Sequence, residues 1–171
     1  MQLRAFDPAD FDALASWFDS QRAVSQWGGS HVRHPLTAAQ FEVMLAEGRG
    51  TRPQRQCWTA WHEDRAVGHG QIAYDWQDGN ARLGRIVIAP QARGQGLARP
   101  MLRQLIDLAF DIPDIQRVEL NVYMFNEVAI HTYKTLGFAF EGVRRSSTRV
   151  DDERWDTGMM GLLRHEWRPP A

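Results

Sequence analysis

The segment best suited to chemistry is Ile86-Val87-Ile88-Ala89-Pro90-Gln91-Ala92-Arg93-Gly94-Gln95-Gly96-Leu97-Ala98. An apolar run stops at Pro90, a turn carries Gly94 and Gly96, and a helical pattern follows. The first turn of a helix presents unpaired N–H groups and the positive end of the helix dipole. Glycine has no Cβ, so phosphate oxygens can approach the backbone there. This chemistry holds a pyrophosphate; the alternative reading is a plain strand-to-helix turn. No Gly-Lys-Ser/Thr follows, so the loop is not a Walker motif. The third glycine of the dinucleotide fingerprint is missing, as is an acidic residue about 20 positions on. His31 and His34 lack a third ligand nearby, and no metal site is expected. Cys57 stands alone between Gln56 and Trp58. It can form no intrachain bridge and reads as a buried small hydrophobe, with a nucleophile as the alternative.

The elements that must position these residues follow from periodicity. Gln2–Phe6 reads as a strand. Pro8–Asp19 reads as a helix capped by Asp7, with Phe11, Leu14, Ala15 and Phe18 on one face. Trp27-Gly28-Gly29 reads as a loop. Thr37-Ala38-Ala39-Gln40 reads as a capping box opening a helix that runs to Gly48. Strands are expected at Gln56–His62, Ala66–Trp76 and Ala81–Ala89, a helix from about Gly96 to Phe110, and a strand at Arg117–Phe125. A helix over Glu127–Leu136 ends at Gly137, and Phe138–Arg149 with Arg154–Trp167 forms a closing hairpin across Asp151-Asp152. The string predicts a mixed α/β sheet, with a right-handed crossover between Ala81 and Phe125. At 171 residues a single domain spanning 1–171 is expected.

Gln91-Ala92-Arg93-Gly94-Gln95-Gly96 after a strand resembles the acetyl-CoA motif of the GCN5-related N-acetyltransferase (GNAT) family. Asn126-x-x-Ala129-x-x-x-Tyr133-x-x-x-Gly137-Phe138 is similar to the segment after that family's next strand. The resemblance covers Ala81–Glu141 well and the first 60 residues in outline. It implies a GNAT-like fold: a mostly antiparallel central sheet, a splayed parallel strand pair and flanking helices. It also implies that Ile86, Val87 and Ile88 pair with the pantetheine arm of acetyl-CoA. Backbone groups of Arg93, Gly94, Gln95, Gly96, Leu97 and Ala98 would then hold the pyrophosphate. Asn126 would bond the pantetheine or fix the loop, and Tyr133 would lie near the thioester sulfur. A tyrosine hydroxyl can give a proton to a leaving thiolate, and a strand N–H such as that of Ile88 can polarise the acetyl carbonyl. The alternative for Tyr133 is an amphipathic-helix residue at the surface. Pro100 falls close enough to the helix start to cost little. Arg99 and Arg103 either reach the adenosine phosphate or are solvated.

The pattern departs from the family at the general base. Ala81-Arg82-Leu83-Gly84-Arg85 holds no carboxylate, and Asn121 stands where some members have glutamate. Glu119 shares a strand face with Asn121 and Tyr123; it and Asp75 are the candidate bases, each equally readable as an ion-paired or solvated carboxylate. For the acceptor, Trp27, His31 and Asp75 are the candidate contacts. The implied activity is acetyl transfer from acetyl-CoA to a primary amine of a small molecule or a peptide N-terminus. Two alternatives are a silent acyl-CoA-binding sensor and a nucleotide-binding module unrelated to CoA.

The composition suits these readings. Lys and Arg total 20 against 21 Asp and Glu, for a net charge of −1. No overall basic field draws the chain to nucleic acid or membrane. The N-terminus is not read as a signal peptide and no apolar run is long enough for a span, so a cytoplasmic protein is expected. A homodimer through the C-terminal strands remains open.

Overall fold

The computed structural model describes residues 1–168; the last three residues of the expected domain span 1–171 lie outside the described residues. Strands β1 (Gln2–Ala5), β2 (Arg55–His62), β3 (Arg65–Asp75), β4 (Asn80–Ile88), β5 (Arg117–Tyr123), β6 (Ala139–Val150) and β7 (Glu153–Leu163) form one seven-stranded sheet. Their spatial order is β1-β2-β3-β4-β5-β7-β6. All neighbours are antiparallel except β4 and β5, which run parallel across helix α4 (Ala98–Phe110). This is the expected mixed sheet with its crossover unit.

The two sheet faces are covered differently. Helix α4 lies over β3 and β4 with Met101, Leu102, Leu105, Ile106 and Ala109 buried. Its close approach depends on two strand glycines. A Cβ at Gly68 would come within 2.7 Å of Met101 Sδ, and one at Gly70 within 2.6 Å of Leu105 Cδ1. The opposite face carries α1 (Phe11–Ala15), α2 (Gln21–Gly28) and α3 (Ala38–Ala46). Here His69 packs against Phe6, Phe41 and Trp27. Helix α5 (Glu127–Thr135) follows β5. Among the described residues, no helix is long and apolar enough to cross a membrane.

Several local expectations are corrected. Pro8–Asp19 is not one helix: a 3-10 turn at Pro8–Asp10 leads into α1, which stops at Ala15. Asp7 does cap this entry, accepting from Ala9 N at 2.8 Å while Asp10 accepts from Asp7 N. Ser20 then opens a helix of its own, its hydroxyl accepting from Ala23 N. That helix, α2, contains Trp27 and Gly28, so the expected loop begins only at Gly29, whose φ of +87 ends the helix. The expected capping box at α3 is half formed. Thr37 accepts from Gln40 N, but Gln40 Oε1 accepts from the Arg33 N–H instead of the Thr37 N–H, and Gln40 Nε2 donates to Arg33 O and Thr37 Oγ1. The cofactor-side helix starts at Ala98 rather than Gly96, because Gly94 and Gly96 hold positive φ of 75 and 73 in the loop before it. Pro100 therefore falls in the first turn, where no N–H is needed. Strand β7 ends at Leu163, where a 3-10 turn at Arg164–Glu166 begins.

The packing of α4 on β3 yields a test. Gly70→Ala should destabilise the fold by about 1–3 kcal/mol, because the new methyl overpacks Leu105 and Ile86. Gly84→Ala, where the methyl meets nothing within 4 Å, should stay within about 0.5 kcal/mol of wild type. Urea unfolding of both variants measures the difference.

Candidate active site

The site is opened by a bulge in β4. His69 pairs with Val87 and Gln71 with Gly84, so Arg85 and Ile86 together oppose Gly70. Arg85 holds a φ of +50 there. Strict alternation from Ala81 and Leu83 would send the Arg85 side chain under α4. The extra residue reverses that parity. Ile86 and Ile88 take the α4 side beside Gly70 and Gly68, and Arg85 turns to the opposite face, where its Nη1 donates to Gln71 Oε1 at 3.0 Å.

Just before the bulge, β4 leaves its parallel neighbour. The β4–β5 register runs from Asn80–Arg117 to Leu83–Leu120 and goes no further. Residues Gly84–Ile88 thus have no strand partner on the β5 side. Ala89 N donates to Val67 O at 2.9 Å, which makes Ile88–Gly68 a non-hydrogen-bonded pair. The Ile88 N–H and C=O therefore point away from β3, into the gap. The Ile88 carbonyl accepts from Arg93 Nε at 3.3 Å; its N–H faces the opening.

Two clefts meet at this gap. The first, ≈ 620 Å³, runs from Ile86, Val87 and Ile88 past Arg93, Gly94, Gly96, Leu97 and Ala98 to Asn126 and Tyr133. A Cβ at Gly94 or Gly96 would meet nothing within 4 Å: the space above both glycines is open. Leu97, the N-cap of α4, provides no side-chain cap, which leaves the first-turn N–H groups for a ligand. Of the expected cofactor contacts, only Gln95 is outside the lining; its Nε2 donates to Gln91 O at 3.1 Å. The second cleft, ≈ 370 Å³, lies among Gln26, Trp27, Gly28, Gly29, Asn121 and Tyr123 and four arginines. Gln26, Trp27, Ile86, Asn126 and Tyr133 border both clefts.

Tyr133 is 7% exposed, and burial pushes its hydroxyl up to about 12. The proton stays on that oxygen at any ordinary pH. Asn126 caps α5 by accepting from Ala129 N at 3.3 Å. Trp27 is fixed by its indole N–H, which donates to the Arg85 carbonyl at 2.7 Å.

The remaining expected site residues sit elsewhere. Glu119 is on the same strand face as Asn121, but its carboxylate is held by Arg82 at 2.5 Å and Arg117 at 3.2 Å. Arg117 in turn binds Glu141, which lowers the Glu141 carboxyl and raises the Arg117 guanidinium. Asp75 lies outside both clefts and accepts from the Gln77 and Asp78 N–H groups in the β3–β4 turn. His31 is exposed and also outside both linings. Cys57 is buried, and desolvation pushes its thiol up to about 11.

Sequence reasoning missed the polar group beneath the second cleft. Gln71 is fully buried. Its Oε1 accepts from Arg85 and, at 3.2 Å, from Arg55; its Nε2 lies 3.1 Å from His69 Nε2. His69 is buried among aromatics, and desolvation, with Arg85 nearby, pushes it down to about 3. The one signal was an arginine inside an otherwise apolar strand end, but only the bulge tells which face it takes.

Residues 13–138 match the Acetyltransferase (GNAT) family. A spermidine N(1)-acetyltransferase of Vibrio cholerae is 36% identical over 83 residues, 48% of this chain and 48% of the relative. The matched stretch thus spans about half the length of that relative. The L-amino acid N-acetyltransferase AaaT of Escherichia coli is 25% identical over 135 residues, 78% of this chain and 80% of its own. The fold superposes on the crystal structure of V. cholerae spermidine N-acetyltransferase in complex with CoA and spermine with a TM-score of 0.81. That match covers 96% of both chains at 20% identity.

His69 gives a pH test. The unfolded chain takes a proton at this imidazole below pH 6.5, whereas the folded chain does so only near 3. The stability due to its neutral burial is complete above 6.5 and is lost as the pH falls through that window. His69→Phe should therefore show a shallower fall in Tm than wild type on acidification below pH 6.5, as read by thermal scans.

Proposed function

The chain belongs to the acetyltransferase (GNAT) family, and on that premise we propose that it moves an acetyl group from acetyl-CoA to a primary amine. The acceptor is a small molecule or a peptide N-terminus. The observation that carries this reading is the position of Tyr133, which lines both of the two clefts that meet where the sheet splits.

The first cleft fits acetyl-CoA. Open space over Gly94 and Gly96, an uncapped α4 N-terminus and an unpaired β4 edge suit a pyrophosphate and an extended arm. Backbone groups from Arg93 to Ala98 would hold the pyrophosphate, and Ile86–Ile88 would pair with the pantetheine. Bound there, acetyl-CoA supplies a thioester that the amine attacks directly, with the CoA thiol as leaving group. The Ile88 N–H polarises the carbonyl, and the Tyr133 hydroxyl gives its proton to the departing sulfur. Asn126 sets the start of α5 and so the position of Tyr133 one helical stretch later.

The chain needs no carboxylate base in this scheme. Neither cleft lining contains an Asp, Glu or His, and Glu119 is engaged by two arginines. The ammonium loses one proton to water before attack, with Asn121 facing it from β5; a second leaves the nitrogen to water as the amide forms, and water returns a proton to the Tyr133 phenolate.

Tyr133→Phe should lower kcat about 100-fold, as measured by CoA-thiol release against an amine panel, while acetyl-CoA still binds by calorimetry. Equal loss of binding would make Tyr133 a structural residue and remove its proton-transfer role. In wild type, kcat/KM should rise with pH along the titration of the acceptor ammonium. No fall should come from Tyr133, whose hydroxyl ionises only near 12.

A further inference from the structure

The second cleft has a one-sided charge. Arg55, Arg82, Arg85 and Arg144 line it, and no acidic residue does. Two of these cations are answered from outside the lining: Arg55 by Glu47 at 2.5 Å and Arg82 by Glu119 at 2.5 Å. Arg144 has no ion pair among the described residues. Arg85 is the telling case. It too has no carboxylate partner; its one side-chain hydrogen bond among the described residues goes to Gln71, shared with Arg55, and its Nε is buried without a partner. Burial and the nearby Arg55 both work against its charge, yet a guanidinium does not give up its proton.

A half-buried cation whose Nε is buried without a partner is expensive unless an anion answers it. The bulge aims Arg85 away from the hydrophobic side of the sheet and toward the cleft. The next residue, Ile86, borders the junction at Tyr133. An acceptor whose amine sits at that junction therefore has Arg85 beside it, and Arg144 on β6 across the cleft.

We propose that the acceptor amine carries a carboxylate, as a free amino acid does, and that Arg85 with Arg144 binds it. The inference rests on the acetyl-transfer reading above and narrows its substrate class. A guanidinium binds a carboxylate through paired N–H donors, whereas a polycation meets two uncompensated arginines and no acidic residue in this lining.

The test uses the full chain and matched substrates: phenylalanine against phenethylamine, and lysine against 1,5-diaminopentane. Spermidine and O-phosphoethanolamine complete the panel. Calorimetry follows acetyl-CoA binding, and separately amino-acid binding to the free protein. The carboxylate member of each pair should be favoured about 30-fold in kcat/KM. Arg85→Gln should abolish that preference and the amino-acid binding while leaving the acetyl-CoA Kd unchanged. Should Arg85→Gln fail to fold by circular dichroism, Arg144→Gln, on an exposed strand, should still reduce the preference several-fold. Acetylation of spermidine or of the decarboxylated amines at equal or better rates would overturn the inference and leave acetyl transfer intact. Preference for O-phosphoethanolamine over every amino acid would replace carboxylate by phosphate and overturn the assignment as stated. Absence of acetyl-CoA binding would remove the acetyl-transfer reading. Arg85-dependent amino-acid binding to the free protein would then still uphold the carboxylate site, and its absence would end it.

Discussion

The parallel pairing of β4 and β5 stops at Leu83–Leu120, and the site exists because it stops. A sheet that stayed zipped would satisfy every backbone group along Gly84–Ile88 internally and present no way through. Here the strand end keeps its bonds to β3 and loses those to β5, so a row of donors and acceptors faces open space. The bulge at Arg85-Ile86 supplies both the bend and the change of parity. It sends two isoleucines under α4 and an arginine to the opposite face. The glycines that let α4 lie close, Gly68 and Gly70, stand opposite this same stretch. Packing on one face and polarity on the other are thus two consequences of one inserted residue.

The polar side of that bulge is built on graded desolvation. Gln71 takes two guanidinium donors on its oxygen and presents its nitrogen to His69, which stays neutral because the aromatic shell cannot solvate a charge. Glu47 pairs with Arg55, and no carboxylate forms an ion pair with Arg85 among the described residues. The same low polarity keeps the Tyr133 proton in place. Burial therefore acts in opposite chemical directions at three groups: it holds a proton on a phenol, removes one from an imidazole, and leaves a guanidinium charged but short of partners.

The likeness to the V. cholerae enzyme fixes the scaffold, since a TM-score of 0.81 persists at 20% identity. It does not fix what enters the second cleft. Backbone geometry creates the first cleft, and many sequences can meet that demand with two glycines and an uncapped helix. Side chains create the second, and four arginines without a lining carboxylate give it a character of its own. The fold and the charge of the second cleft are accordingly set by different parts of the molecule.

Local patterns by themselves determined the sheet-forming segments, the crossover unit and the glycine loop before α4. Those features rest on period-2 alternation, capping residues and the steric freedom of glycine, all of which act within a few neighbouring positions. The same locality explains the errors. The local pattern at Trp27-Gly28 shows a glycine without telling whether it interrupts or ends a helix, and Gln40 has the spacing of a cap partner although a loop five or more residues back claims its amide. Alternation puts Glu119 on the face of Asn121, yet its partners Arg82 and Glu141-bound Arg117 come from strand pairing and a folded-back hairpin. Only the tertiary structure decided where β4 slips by one residue, which face Arg85 takes, and that Gln71 and His69 lie beneath it. These depend on register between strands and on the depth to which each group is buried, and neither quantity is carried by any short stretch of chain.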